Sequence, residues 1–175
     1  MDRVMEKAKK IRLAIFDVDG VLSTGALTYG PDDTESKTFH VHDGMGMRML
    51  AKSGVVIAII TARNSTIVAK RMQDLEIVHV YQGYADKLPA YEDLKQKLKL
   101  NDNEIAYVGD DLPDVPLLKR VGLSITVPNA PSIMQQYVHW TTKKKGGKGA
   151  AREVCELIMQ AQNSYDAIIK TYLDR

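Results

Sequence analysis

Residues 55–60 read Val-Val-Ile-Ala-Ile-Ile, an unbroken apolar run. A strand written this way has no polar face, so it must be covered on both sides, as central strands of parallel sheets are. Shorter apolar runs recur at 13–16, 77–81, 105–108 and 123–127. Between them the spacing predicts helices over 44–52, 65–75, 87–98 and 115–121. Strand and helix in alternation predict an α/β fold, a Rossmann-like parallel sheet flanked by helices and joined by right-handed crossovers. A chain of 175 residues suffices for one such domain, so residues 1–175 read as a single unit.

Two segments stand outside this rhythm. Ala26-Leu27-Thr28-Tyr29 and Ser36-Lys37-Thr38-Phe39-His40-Val41 flank Gly30-Pro31-Asp32-Asp33, which predicts a β-hairpin over about 26–41. It follows the first strand closely and should project from the mouth of the crevice. His40 and His42 then fall on one face of its second strand and read as facing solvent or an interface. Residues 150–173 predict one long helix after a glycine-rich loop, so that 142–173 form a C-terminal loop and helix.

Charge and composition narrow the partners. A net charge of +2 is too small to imply nucleic acid or a membrane surface. No apolar run approaches the roughly 20 residues that cross a bilayer. Residues 1–10 are charged and lack the apolar core of a signal peptide. The single cysteine, Cys155, allows no disulfide framework, suits a reducing cytoplasm and reads as a small core residue. Met45, Met47 and Met49 read as packing or oligomer contacts. The local basic tract Lys143-Lys144-Lys145 with Lys148 is either an anion-binding loop or a solvated turn.

In open parallel sheets ligands sit at the carboxyl ends of the strands. The first strand ends in Phe16-Asp17-Val18-Asp19-Gly20-Val21 and the second in Thr61-Ala62-Arg63-Asn64. The third is followed by Gly83 and Lys87, and the fourth ends in Gly109-Asp110-Asp111-Leu112-Pro113-Asp114. Carboxylates delivered by two strands suggest a hard-cation site, and Mg2+ takes oxygen ligands while keeping several waters. Carboxylates, a hydroxyl, an ammonium and an acidic cluster suit phosphoryl transfer, where charge neutralisation and positioning do most of the catalysis. A carboxylate nucleophile would split the reaction through an aspartyl-phosphate. Asp114 also reads as a cap for the following helix, and Arg63 as either a substrate or interface contact or a surface ion pair.

These four strand ends, in order from residue 13 to 127, resemble the motifs of the haloacid dehalogenase-like phosphohydrolases. The resemblance implies Asp17 as nucleophile and Asp19 as general acid/base, with Asp17, Asp110 and the main-chain carbonyl of Asp19 on Mg2+. It further implies phosphate binding by Thr61 and Ala62, Lys87 bridging phosphate and Asp17, and Asp111 and Asp114 in support. An acid at Asp19 favours monoester hydrolysis, since it can protonate an alkoxide and then activate water.

Neither the interval from Asp17 to Thr61 nor that from Lys87 to Asp110 has room for a cap domain. An open crevice selects poorly among small substrates, so either the substrate is large or another subunit covers the site. The stretches Lys37-Thr38-Phe39-His40-Val41-His42-Asp43-Gly44-Met45-Gly46 and Lys145-Gly146-Gly147-Lys148-Gly149-Ala150-Ala151-Arg152-Glu153 are similar to the cap-less 3-deoxy-D-manno-octulosonate (Kdo) 8-phosphate phosphatases. That resemblance implies a Mg2+-dependent homotetramer assembled through the hairpin, with Arg63, Lys148 and Arg152 available to a phosphorylated sugar acid. Two residues depart from the pattern. His42 stands where that family usually has Arg, and Ala62 where it usually has Gly; Ala62 keeps its N–H, whereas a neutral imidazole is a weaker, pH-dependent anion anchor. The rival readings are a phosphatase of a nine-carbon sugar acid 9-phosphate and a non-catalytic oligomerisation module.

Overall fold

The computed structural model describes residues 1–31 and 34–174. The main sheet has six parallel strands in the order β5-β4-β1-β6-β7-β8: β1 (Leu13–Phe16), β4 (Val56–Ile60), β5 (His79–Tyr81), β6 (Ile105–Val108), β7 (Leu123–Thr126) and β8 (Trp140–Thr141). A separate two-stranded ribbon pairs β2 (Thr28–Tyr29) with β3 (Glu35–Ser36). The helices are α1 (Asp2–Ala8), α2 (Val41–Lys52), α3 (Thr66–Asp74), α4 (Leu88–Leu98), α5 (Val115–Leu118), α6 (Ala150–Ala161) and α7 (Tyr165–Leu173).

The period-two alternation of a strand divides the core into two layers. Ala14, Phe16, Ile57, Ile59, Ala106 and Val108 face one way, packed with residues of α1, α2, α3 and α6. Leu13, Ile15, Ala58, Ile60, Ile105 and Tyr107 face the other, under Tyr91 and Leu94 of α4 and Leu117 of α5. Both faces of β1 and β6 are therefore buried, which is why these strands carry no polar side chain apart from Tyr107. The chain runs outward from β1 to β4 and β5, then returns across β1 to β6. That reversal makes the β1–β6 boundary the topological switch point, and Asp17 and Asp110 leave the sheet on its two sides.

The elements differ from the expected ones at several points. The hairpin pairs only 28–29 with 35–36, and Asp32 and Asp33 of the expected tip lie outside the described residues. His40 is not a strand residue: it is the N-cap of α2, its Nδ1 accepting the His42 N–H at 3.3 Å, so His42 lies in the first helical turn. The expected long tail helix breaks into α6 and α7, with Asn163 in the left-handed region at φ 54°. Gln162 at the break donates through Nε2 to the carbonyls of Ala8 and Ile11, which a continuous helix would not favour. The helix expected over 115–121 stops at Leu118, and α1 and β8 are not among the expected elements. Val4 and Ala8 are the buried face of α1, too short a stripe to register as periodic. Cys155, Met47 and Met49 are core residues.

Candidate active site

Asp17, Thr61 and Asp110 are each the first polar group after an apolar strand. Asp17 follows β1, its N–H donating to Val108 O at 3.0 Å, so the β1–β6 ladder itself sets its height above the sheet. Thr61 follows β4 and is locked by its N–H to Tyr81 O at 2.9 Å and by the Tyr84 N–H on its carbonyl at 3.1 Å. Asp17, Thr61, Lys87 and Asp114 are all buried.

Lys87, immediately before α4, is the hub. Its Nζ donates to Asp17 Oδ1 at 2.6 Å, Asp114 Oδ1 at 2.5 Å and Tyr107 Oη at 3.2 Å. The Tyr107 hydroxyl in turn donates to Asp114 Oδ1 at 2.5 Å. The other oxygen of Asp114 accepts the N–H groups of Asp110 and Asp111, at 2.9 and 3.1 Å. Asp111 accepts the Leu112 N–H at 2.8 Å, which with Asp114 makes a capping box on the turn 112–114. Asp114 thus closes the turn 112–114 and holds Lys87 at once, but makes no side-chain cap hydrogen bond to α5, the helix it was expected to cap.

Asp17, Asp110 and Asp114 each offer an oxygen within 4.8 Å of the others. One ammonium offsets only part of that negative charge. Burial, only partly countered by Lys87, pushes Asp17 up to about 7. Burial together with repulsion from Asp17 and Asp114 does the same to Asp110. The two aspartates hold Lys87 above its ordinary value despite its burial, so it is an ammonium here. Since the oxygens of Asp114 are occupied by Lys87, Tyr107 and two N–H groups, Asp17 and Asp110 remain as ligands. A set of oxygen donors with surplus negative charge fits a hard divalent cation. Gly20, at φ 94°, lets the Asp17–Asp19 loop pass against Asp110, whose carboxylate occupies the space a Cβ would need.

Asp19 lies toward the hairpin. Its carboxylate meets Lys37 Nζ at 2.5 Å and Arg63 Nε at 3.7 Å. Arg63 also pairs with Glu35 at 2.9 Å, while the neighbouring Ala62 is exposed. The C-terminal loop is strapped beside the same edge. Gly146 N–H donates to Asn129 Oδ1 at 2.7 Å, Asn129 Nδ2 donates to Gly20 O at 2.9 Å, and Gly147 N–H donates to Val21 O at 2.9 Å. Lys148 on this loop is exposed. The Arg152 guanidinium is held by Glu156 at 2.6 Å, and the Arg152 backbone N–H donates to Asp43 Oδ1 at 2.9 Å. His42 is exposed, its ring 4.9 Å from that of His40. Tyr107 and Asn129 carry no motif signal, and Lys37 and Asp43 lie in a family-like stretch that gives them no role; the tertiary contacts single them out.

The chain matches the haloacid dehalogenase-like hydrolase family over residues 64–154. It is 46% identical to the 3-deoxy-D-manno-octulosonate 8-phosphate phosphatase KdsC of Salmonella typhi, over 93% of this chain and 87% of that protein. The crystal structure of the phosphatase of the same name from Moraxella catarrhalis, in complex with magnesium, phosphate and Kdo, superposes with a TM-score of 0.96. The two are 45% identical, covering 98% of this chain and 99% of that one. A cobalt-bound form of the Haemophilus influenzae phosphatase gives a TM-score of 0.91 at 35% identity, covering 95% of this chain and 99% of that one.

Proposed function

This chain belongs to the haloacid dehalogenase-like hydrolases, and from that premise we propose that it is a Mg2+-dependent phosphatase converting Kdo 8-phosphate to Kdo and inorganic phosphate. The observation that carries the chemistry is the buried Lys87–Asp17 contact beside Asp110 at the switch point.

Asp17, Asp110 and the main-chain carbonyl of Asp19 would hold the ion. When bound, Mg2+ supplies a compact double charge that offsets the carboxylates and the phosphate oxygens. Thr61 and the Ala62 N–H bind phosphate, and Lys87 neutralises charge between phosphate and nucleophile. Asp17 attacks phosphorus while Asp19, as the acid, protonates the departing sugar oxygen, leaving an aspartyl-phosphate and the free alcohol. Asp19, now a carboxylate, takes a proton from the water that attacks phosphorus, and Asp17 is regenerated as phosphate leaves. Asp111 and Asp114 keep Lys87 and the metal loop in place.

Selection of the sugar acid is assigned to a homotetramer built on the hairpin, where Leu27 and Tyr29 are 43% and 64% exposed. Arg63 and Lys148 lie on the open edge; Arg152 would contribute on leaving Glu156. Among the described residues no helix is long and apolar enough to cross a membrane.

The test is phosphate release with Mg2+ from Kdo 8-phosphate, neuraminate-type 9-phosphates and simple sugar phosphates, with Asp17→Asn as control. Preference for Kdo 8-phosphate, lost in Asp17→Asn, is expected. Preference for a nine-carbon ester overturns the substrate and keeps the chemistry. A tetramer without hydrolysis of any ester would make the chain an oligomerisation module.

A further inference from the structure

Asp19 differs from the rest of the proposed machinery in what holds it. Asp17, Asp110 and Lys87 are fixed by strand ends and by Asp114, whereas the shortest contact to the Asp19 carboxylate comes from the hairpin, with Ser23 Oγ of its own loop at 3.4 Å and Arg63 after β4 at 3.7 Å. Lys37, directly after β3, places Nζ 2.5 Å from Asp19 Oδ1 and 3.1 Å from Glu35 Oε1. Arg63 closes the circuit, with Nη2 2.9 Å from Glu35 Oε1 and Nε 3.7 Å from Asp19 Oδ2. The charges alternate in sign around a ring of four. The Lys37 side chain is only 1% exposed, although lysines normally keep their ammonium in water. Burial of an ammonium is costly unless it is paired and hydrogen-bonded, and here two carboxylates meet it. One of them would hold the amine to the hairpin; the second ties it to Asp19.

We propose that Lys37 is a positioning residue for Asp19, aiming its carboxyl group at the leaving oxygen and then at the attacking water. This rests on the reading of Asp19 as general acid/base. It deepens that reading by giving the hairpin a share, beside the loops after β1 and β4, in aiming the proton.

The experiment compares Lys37→Met and Lys37→Arg with wild type in the full chain with Mg2+. A sugar phosphate needs a proton on its leaving oxygen, whereas the p-nitrophenolate released from p-nitrophenyl phosphate leaves without one. Lys37→Met is therefore expected to lower kcat about 100-fold on the sugar phosphate, near the low end of what general acid catalysis contributes, with KM changed less than about threefold. First-turnover release of p-nitrophenolate should change less than about threefold, and Lys37→Arg should recover part of the lost kcat. Equal losses on both esters, a loss confined to KM, or no loss overturns the proposal. If Lys37→Met fails to fold, Lys37→Gln takes its place in the same comparison. A kcat loss confined to the sugar phosphate then supports the proposal, and wild-type behaviour or a loss on both esters overturns it. If wild type prefers another alkyl phosphate, only the substrate reading falls, and the same comparison is made on that ester.

Discussion

Lys87 sits where three oxygens converge, and the least conspicuous of them belongs to Tyr107. Its hydroxyl accepts from Lys87 and donates to Asp114 inside a fully buried network, where one missing partner leaves others unsatisfied. Tyr107→Phe is expected to cost about 1–3 kcal/mol in urea unfolding and to lower kcat more than it raises KM. Asp17→Asn should lower kcat by roughly 10⁴-fold or more, measured as phosphate release, because the nucleophile itself is gone. Metal affinity should follow pH in a defined direction. Asp17 and Asp110 are both pushed up to about 7, so below that pH an incoming cation must displace protons. Mg2+ should bind more tightly at pH 8 than at pH 6, with proton release visible by calorimetry in buffers of different ionisation enthalpy. The linkage has the same sign. In the metal-free protein the folded state holds more protons than the unfolded chain between the ordinary aspartate value and about 7. Its stability therefore falls as pH rises through that window. Added Mg2+ should raise Tm more at pH 8 than at pH 6.

At the scale of elements, the joint between α2 and α6 holds the C-terminal loop to the site. Asp43, in the first turn of α2, is buried, and its carboxylate accepts the Gly149 N–H at 3.2 Å and the Arg152 N–H at 2.9 Å. It therefore caps α6 from another helix. Gly149 precedes α6 in a left-handed conformation at φ 103° and has no side chain with which to cap it. Asp43→Ala should cost about 1–2 kcal/mol, read from the urea midpoint, with the slope unchanged. Gly146 packs so closely that an added Cβ would overlap Gly20 O. Asn129 looks ordinary in the sequence, after a proline, and the family-like stretch around Asp43 assigns that residue no contact. Nothing local shows that they reach residues 106 and 109 positions away.

For the whole molecule, the open crevice and the projecting hairpin belong together in the proposed tetramer. Leu27→Glu places charge on exposed apolar hairpin surface and leaves Tyr29, which hydrogen-bonds Arg63, untouched. Light scattering is expected to show a smaller species, with kcat/KM for the sugar phosphate reduced more than that for p-nitrophenyl phosphate. An unchanged mass would remove the hairpin from the assembly.

The sequence alone determined five of the six strands of the sheet and the inventory at its edge. A strand buried on both faces must be apolar throughout, so the polar residues that end it stand out: Asp17, Thr61 and Asp110 are legible for that physical reason. Tertiary structure decided which of those groups are left for a cation, because only the fold shows that Lys87, Tyr107 and two N–H groups occupy Asp114. It also decided that His40 caps a helix, that the tail turns back at Asn163, and that Lys37 meets Asp19. Such contacts join residues far apart in the chain, and a long-range pairing leaves no mark on local spacing or composition.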